Sequence, residues 1–174
     1  MIIGQPGSGK STLAREIGAR TGLPVVHVDQ IYWLPGWAER PKDEQTALAL
    51  EVHARPEWVF DGNMSRTFPD RLARADTFIW LDLPLPLRCW RVFKRTVLSY
   101  GKVRPDMGEG CPEQFSLEFW SFIWRTRQTG RRHGLAILKD PPSHLALHHL
   151  RSPADVLAFL RTLPEAPSTP IQAT

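Results

Sequence analysis

An α/β fold, three layers deep around a five-stranded parallel sheet, is predicted by three observations. Short apolar runs alternate with helical patterns along nearly the whole chain, as parallel sheets require. A glycine loop follows the first apolar run directly. The run Thr77-Phe78-Ile79-Trp80-Leu81 is apolar without alternation, which suits a strand buried on both faces.

The elements follow in order. Met1, Ile2, Ile3 and Gly4 end a first strand, and residues 11–20 form a helix. Val25-Val26-His27-Val28-Asp29 reads as a second strand, entered from a Gly22-Leu23-Pro24 turn. Residues 43–54 are helical, with Pro41 near their start. Trp58-Val59-Phe60-Asp61 is a third strand closed by Gly62, and residues 77–81 are the fourth. Residues 87–98 are helical, residues 99–112 form a loop rich in Gly, Pro, Arg and Asp, and residues 113–129 form a long amphipathic helix. The fifth strand is either 135–138 or 145–150. The later one is preferred, because Ser152-Pro153 then opens a last helix over 154–163. Residues 1–163 are expected to form one domain, and the Pro- and Ser-containing stretch 164–174 a disordered tail.

Composition narrows the function. With 22 Lys+Arg against 18 Asp+Glu the net charge is +4, which fits either a solvated surface or a site that handles anionic substrates. No dense basic run is present, so nucleic-acid binding is disfavoured. Cys89 and Cys111 lack metal-ligand spacing and are expected to be free thiols. No apolar run approaches membrane-spanning length, and the glycine loop at Gly4 leaves no room for a signal peptide. A cytoplasmic protein without membrane partners is expected.

Gly4-Gln5-Pro6-Gly7-Ser8-Gly9-Lys10-Ser11 satisfies G-x-x-x-x-G-K-[ST], and Thr12 follows. Glycines let successive backbone N–H groups turn inward and form an anion-binding nest. The helix that begins beside Lys10 adds its free N–H groups and positive dipole end. This is a P-loop. Gly4, Gly7, Ser8, Gly9, Lys10, Ser11 and Thr12 are expected to hold ATP, with Lys10 on the β- and γ-phosphates and the Ser11 hydroxyl on Mg²⁺.

Further segments carry a resemblance. Asp61-Gly62-Asn63-Met64-Ser65-Arg66-Thr67 resembles the D-G-F-P-R-T segment of adenylate kinases, and residues 75–84 resemble their fourth strand and V-P turn. Arg91 and Arg95 share one helix face and match the spacing of two adenylate kinase arginines, one against the base and one on the phosphates. Arg104-Pro105-Asp106 resembles part of an arginine-bearing lid, here about residues 99–112. Closer still are the bacterial topology modulation proteins of the FlaR type, an adenylate kinase-related family. Their pattern is matched by Asp29-Gln30-Ile31-Tyr32-Trp33, Asp61-Gly62-Asn63, Arg71-Leu72-Ala73-Arg74-Ala75-Asp76 and Gly110-Cys111-Pro112-Glu113. The resemblance implies a P-loop NTPase fold of the nucleoside-monophosphate-kinase type with a short lid.

Two departures stand out. Arg66 lies one residue farther from Asp61 than the adenylate kinase pattern places its arginine, which makes Arg71 a competitor. The small-residue T-G-D stretch of the AMP site is absent, so the acceptor need not be AMP. Asp29, at the carboxyl edge of the second strand, is either a base or orienting group for an acceptor hydroxyl, a partner of metal-bound water, or a turn residue. Asp61 has the same placement, with a Mg²⁺-water role implied. Lys10, Arg95, Asp29 and Arg104 are the expected catalytic set. Arg91 and Arg151 are assigned to the nucleotide, and Asp29, Trp33, Asp61 and Arg66 or Arg71 to the acceptor. Trp37 and the aromatic set Phe115, Phe119, Trp120, Phe122 and Trp124 are read as core, and His144, His148 and His149 as structural. The expected activity is transfer of the ATP γ-phosphate to a nucleotide or other small acceptor. Its rivals are a shikimate-kinase-like hydroxyl kinase and a nucleotide-dependent, DNA-topology-associated regulator with little turnover.

Overall fold

The computed structural model describes residues 1–164; the expected tail from residue 165 onward lies outside the described residues. The chain runs β1 (Ile2–Gly4), α1 (Lys10–Thr21), β2 (Val25–His27), α2 (Val28–Tyr32), β3 (Trp33–Leu34), β4 (Ala38–Glu39) and α3 (Lys42–His53). It continues through β5 (Val59–Asp61), α4 (Phe68–Arg74), β6 (Thr77–Leu81), α5 (Leu85–Ser99), α6 (Leu117–Arg125), α7 (Arg132–Lys139), β7 (Ala146–Leu150) and α8 (Pro153–Thr162). Five strands pair in parallel in the order β2–β5–β1–β6–β7, and β3 and β4 form a small antiparallel hairpin of their own.

Alternating side chains send β1 into two cores. Ile2 joins Leu13, Ala14 and Ile17 of α1 and Phe159 of α8 on one face. Ile3 joins Phe68 of α4 and Ile137 of α7 on the other. Val28, Ile31, Ala49 and Val52 extend that second layer over Phe60 and Met64. The result is the expected three-layer fold, and burial of such apolar side chains contributes about 1.5–3 kcal/mol each. Among the described residues no helix is long and apolar enough to cross a membrane.

Helices α1, α3, α5 and α8 fall within two residues of their expected limits. Two expectations are corrected, and the preferred fifth strand is borne out as β7. Strand β2 stops at His27, because its partner β5 ends at Asp61, directly opposite, and residues beyond that pair have no neighbour to complete their hydrogen bonds. Val28 and Asp29 therefore turn into α2. The helix expected from residue 113 begins at Leu117, where the Ser116 side chain caps it by accepting from the Phe119 N–H at 3.1 Å. Residues 135–138, the less favoured strand, lie within α7.

The aromatic set is also corrected. Phe115, Phe122 and Trp124 are 57%, 45% and 60% exposed, and Ile123 is the one buried residue of α6. Helical periodicity marks an apolar face; it does not supply an element to cover it. The histidines are structural, as expected. The His149 ring stacks on Trp80 at 4.4 Å, His148 packs edge-on against Phe159, and His144 contacts the Leu72 carbonyl.

Arg71 is fully buried in this framework. Its Nη1 and Nη2 donate to the carbonyls of Gly62 and Met64, both at 2.9 Å, and its guanidinium lies between the Phe60 and Phe68 rings. Burial pulls its pKa down to about 9, against the Asp61 charge. The side chain thus fixes the turn that follows β5. Arg71→Ala is expected to lower the unfolding free energy by about 2–3 kcal/mol, read from urea titration. A loss below about 0.5 kcal/mol, the scale of surface substitutions, would contradict this clamp.

Candidate active site

The glycine loop connects β1 to α1 at the carboxyl edge of the sheet. Gly7 has φ +76°, and a Cβ there would stand 2.4 Å from the Arg88 carbonyl oxygen of α5; both constraints call for glycine. Helix α1 starts with no side-chain cap, so its first N–H groups remain available to an anion. Ser8 is 1% exposed, and its hydroxyl has no hydrogen-bond partner among the described residues.

Neighbouring elements grip the loop from outside. Asn63, in the turn after β5, accepts from the Gly4 N–H at 3.1 Å and donates to the Gly4 carbonyl at 2.8 Å. The Gln5 amide donates to the carbonyls of Thr126 and Arg127 at the end of α6. Arg91 Nη1 donates to the Ser8 carbonyl at 3.1 Å. Asn63 was within reach of the sequence through its D-G-N context. Gln5 gave no signal, since its contact spans 121 positions.

Lys10, Asp29 and Asp61 converge on the adjacent strand ends. Burial pushes the Lys10 ammonium below its ordinary pKa, and the Asp61 and Asp29 charges oppose that shift. Burial also raises the Asp29 carboxyl, with Lys10 the chief opposing charge. Asp29 nonetheless keeps accessible surface. Its surroundings are thus crowded but still reached by solvent, which weakens the effect of burial on its charge. Asp61 is 3% exposed and accepts from His27 Nδ1 at 2.7 Å, across the final β2–β5 pair.

Residues 99–113 bring further charges to this edge. Arg95 Nη2 of α5 lies 3.2 Å from Glu113, Arg104 Nε lies 2.9 Å from the same carboxylate, and Thr96 Oγ1 donates to it at 2.9 Å. Arg104 Nη1 also meets Asp106 at 2.6 Å, and Arg15 of α1 reaches Asp106 at 3.4 Å. Burial pulls Arg95 down, aided by the like charge of Arg104 and resisted by Glu113. Burial would raise Asp106, but Arg104 and its other partners hold the carboxyl below its usual range. This segment docks on the β3–β4 hairpin. Trp37 Nε1 donates to the Pro112 carbonyl, Gly36 N–H to the Gly110 carbonyl, and the buried Cys111 thiol to the Leu34 carbonyl at 3.2 Å. A Cβ on Gly108 would stand 2.5 Å from the Trp33 carbonyl. Glu113, Asp106 and Cys111 thus acquire physical roles that sequence spacing did not reveal.

The structure brings Lys10, Asp29, Asp61, Arg95 and Arg104 within electrostatic range of one another. It leaves out both acceptor arginines. Arg71 is enclosed, and Arg66 faces α3, donating to the Lys42 carbonyl and Gln45 Oε1. The expectation for Arg71 is corrected by its enclosure, whereas Arg66 remains exposed. Trp33 is half-buried with its ring edge-on to Tyr32 and Trp37. Arg151 lines a cavity of about 540 Å³ over β6 and β7, together with Arg88, Arg127 and Arg131. A second cavity, of about 390 Å³, lies between Gln5, Pro6, Asn63 and Ser65 and the α6–α7 segment.

Gly7→Ala is expected to lower ATP affinity by at least about tenfold, measured by calorimetric titration; unchanged affinity would show that the loop does not need this close approach. Asp29 is held above its unfolded pKa of about 3.9. Ionising it therefore costs stability, fully once pH exceeds the folded value and not at all below the unfolded one. Asp29→Asn is expected to raise Tm at pH 7, with the gain fading as pH falls toward about 4. Melting curves across that range would reject the reading if Tm fell at pH 7.

No family profile matches the sequence, and no curated protein is similar to it in sequence. Among solved structures, an unliganded sugar kinase from Janibacter sp. HTCC2649 superimposes with a TM-score of 0.50 at 15% identity, covering 92% of this chain and 90% of that one. A deoxyadenosine kinase from M. mycoides with bound dCTP gives a TM-score of 0.45 at 16% identity, covering 93% and 98%. Likeness at such identity concerns architecture alone. Strand order, the glycine loop between β1 and α1, and the sugar kinase likeness together give this chain the P-loop NTPase fold in its five-stranded, kinase-like form.

Proposed function

We propose that the chain is an ATP-dependent phosphotransferase that moves the γ-phosphate to a small acceptor, within the adenylate kinase-related group that its D-G-N and lid motifs resemble. One observation carries this reading: the charges of Lys10, Asp29, Asp61, Arg95 and Arg104 act on one another at the carboxyl edge of the sheet, beside the glycine loop. Phosphoryl transfer needs positioning and charge neutralisation more than covalent help, and this arrangement offers both. The unpartnered Ser8 hydroxyl and uncapped α1 amides suit a polyphosphate. The nucleotide's base end fits the arginine-lined cavity beside Arg151, with Arg91 above the loop.

The donor set suits magnesium. Ser11 can ligate the ion directly and Asp61 through a water. Magnesium keeps several of its own waters and is held by few protein oxygens together with substrate phosphates. When bound, Mg²⁺ neutralises charge on the β- and γ-phosphates. Lys10 holds the same phosphates, Arg95 and Arg104 face the transferring group, and Asp29 orients the acceptor. The docked lid limits water, which would otherwise compete as acceptor.

ADP release with Mg·ATP and a panel of nucleotides, nucleosides, sugars and hydroxy acids tests the reading. Lys10→Ala is expected to reduce turnover by at least about a hundredfold. ATP binding without turnover on any acceptor would instead favour a nucleotide-dependent regulator.

A further inference from the structure

An acceptor that already carries a phosphate brings about two negative charges beside a triphosphate, and such sites supply arginines to hold it. The turn after β5 is where this chain would present them, and both of its arginines are engaged by the protein itself. Arg71 is enclosed by Phe60 and Phe68 with its N–H groups on backbone carbonyls. Arg66 is exposed, with its N–H groups donating to the Lys42 carbonyl and Gln45 Oε1 of α3. Arg95 and Arg104 are bound to Glu113 and Asp106. The arginine-lined cavity lies beyond the ends of β6 and β7, where Arg88, Arg127, Arg131 and Arg151 face Asp82 and Asp155, and it meets the second cavity at Gln5.

The space on the acceptor side is of another character. The 390 Å³ cavity has no Lys, Arg, Asp or Glu in its lining. It presents the hydroxyls of Ser65 and Thr129, the His133 imidazole and the face of Phe122, 45% exposed, while the lining side chains of Asn63 and Thr126 are bonded to Gly4 and to the Phe122 carbonyl. Asn63 and Ser65 are themselves exposed. Its volume falls within the range of small-molecule sites, which are typically about 300–1,000 Å³. Strand order completes the placement. β5 lies between β2 and β1, so the turn after β5 stands between Asp29, which follows β2, and the glycine loop, which follows β1.

We propose that the acceptor is an uncharged, hydroxyl-bearing molecule of nucleoside or monosaccharide size, seated in this neutral cavity beside Asn63 and Ser65, and not a nucleoside monophosphate. This rests on the phosphotransferase reading above. In the step, the acceptor oxygen bonds to the γ-phosphorus while the P–O bond to the β-phosphate breaks. ADP leaves with that electron pair, and the hydroxyl proton passes to Asp29.

Two measurements on the full chain test it. The first is calorimetric titration, in the presence of a non-hydrolysable ATP analogue, with uncharged nucleosides, monosaccharides and nucleoside monophosphates. The second is ADP release with ³¹P NMR identification of the product. Binding and phosphorylation of an uncharged compound in preference to monophosphates is the expected result. Ser65→Leu and His133→Trp, which fill the cavity, should each raise the acceptor KM by about tenfold or more while ATP affinity stays within about twofold; Arg66→Ala should leave that KM within about twofold. Preferred turnover of a monophosphate, with a KM that rises in Arg66→Ala, overturns the inference and leaves phosphotransfer standing. Uncharged compounds that bind without ADP release support the site and overturn the transfer. If the ATP analogue binds and nothing on the panel does, both fall.

Discussion

Asn63 and Gly4 exchange two hydrogen bonds across the sheet edge, and the geometry of the site follows from that clamp. It fixes the last residue of β1 against the turn after β5, so the glycine loop leaves the sheet in one direction only. Beyond it, Gly7 presses on the Arg88 carbonyl, Arg91 holds the Ser8 carbonyl, and the Gln5 amide ties the loop to the end of α6. These contacts engage the loop's carbonyls and outer side chains. They leave its inward amides and the Lys10 ammonium to meet an anion, with the geometry set before the ligand arrives.

Charge is organised by the same logic. Arg15, Asp106, Arg104, Glu113 and Arg95 form a continuous chain from α1 through the lid to α5. Buried ion pairs of this kind add little net stability, because desolvation offsets the attraction. They do hold long arginine side chains in place, so less conformational entropy remains to be lost when phosphates bind. The lid is anchored as well. Cys111, Trp37 and the close approach of Gly108 to Trp33 join it to the β3–β4 hairpin.

Arg71 shows how one residue type serves opposite ends. Spacing alone made it a candidate to bind acceptor phosphate, since a cation near a strand end in a phosphate-handling fold is an economical guess. Its surroundings decide otherwise. Two aromatic rings and two backbone carbonyls absorb the guanidinium, and the turn bearing Asn63 is held in shape as a result. Asp29 moved less in meaning than in setting. It lies in α2 and not on β2, yet remains at the sheet edge beside Lys10.

The sequence by itself determined the glycine loop, the five strands and the placement of Lys10, Asp29 and Asp61 near one edge, while Arg95 was indicated by its resemblance to an adenylate kinase arginine. Those features depend on local spacing: glycines at fixed intervals, apolar runs, and the rule that parallel strands gather their loops at the carboxyl end. Only the tertiary structure decided which arginine is enclosed, that Glu113 and Asp106 brace the lid, that Cys111 locks it to a hairpin, and that the aromatic face of α6 is left largely exposed. A helical pattern records which side of an element is apolar or charged. What lies against that side is fixed by contacts many positions apart in the chain, and no local pattern encodes them.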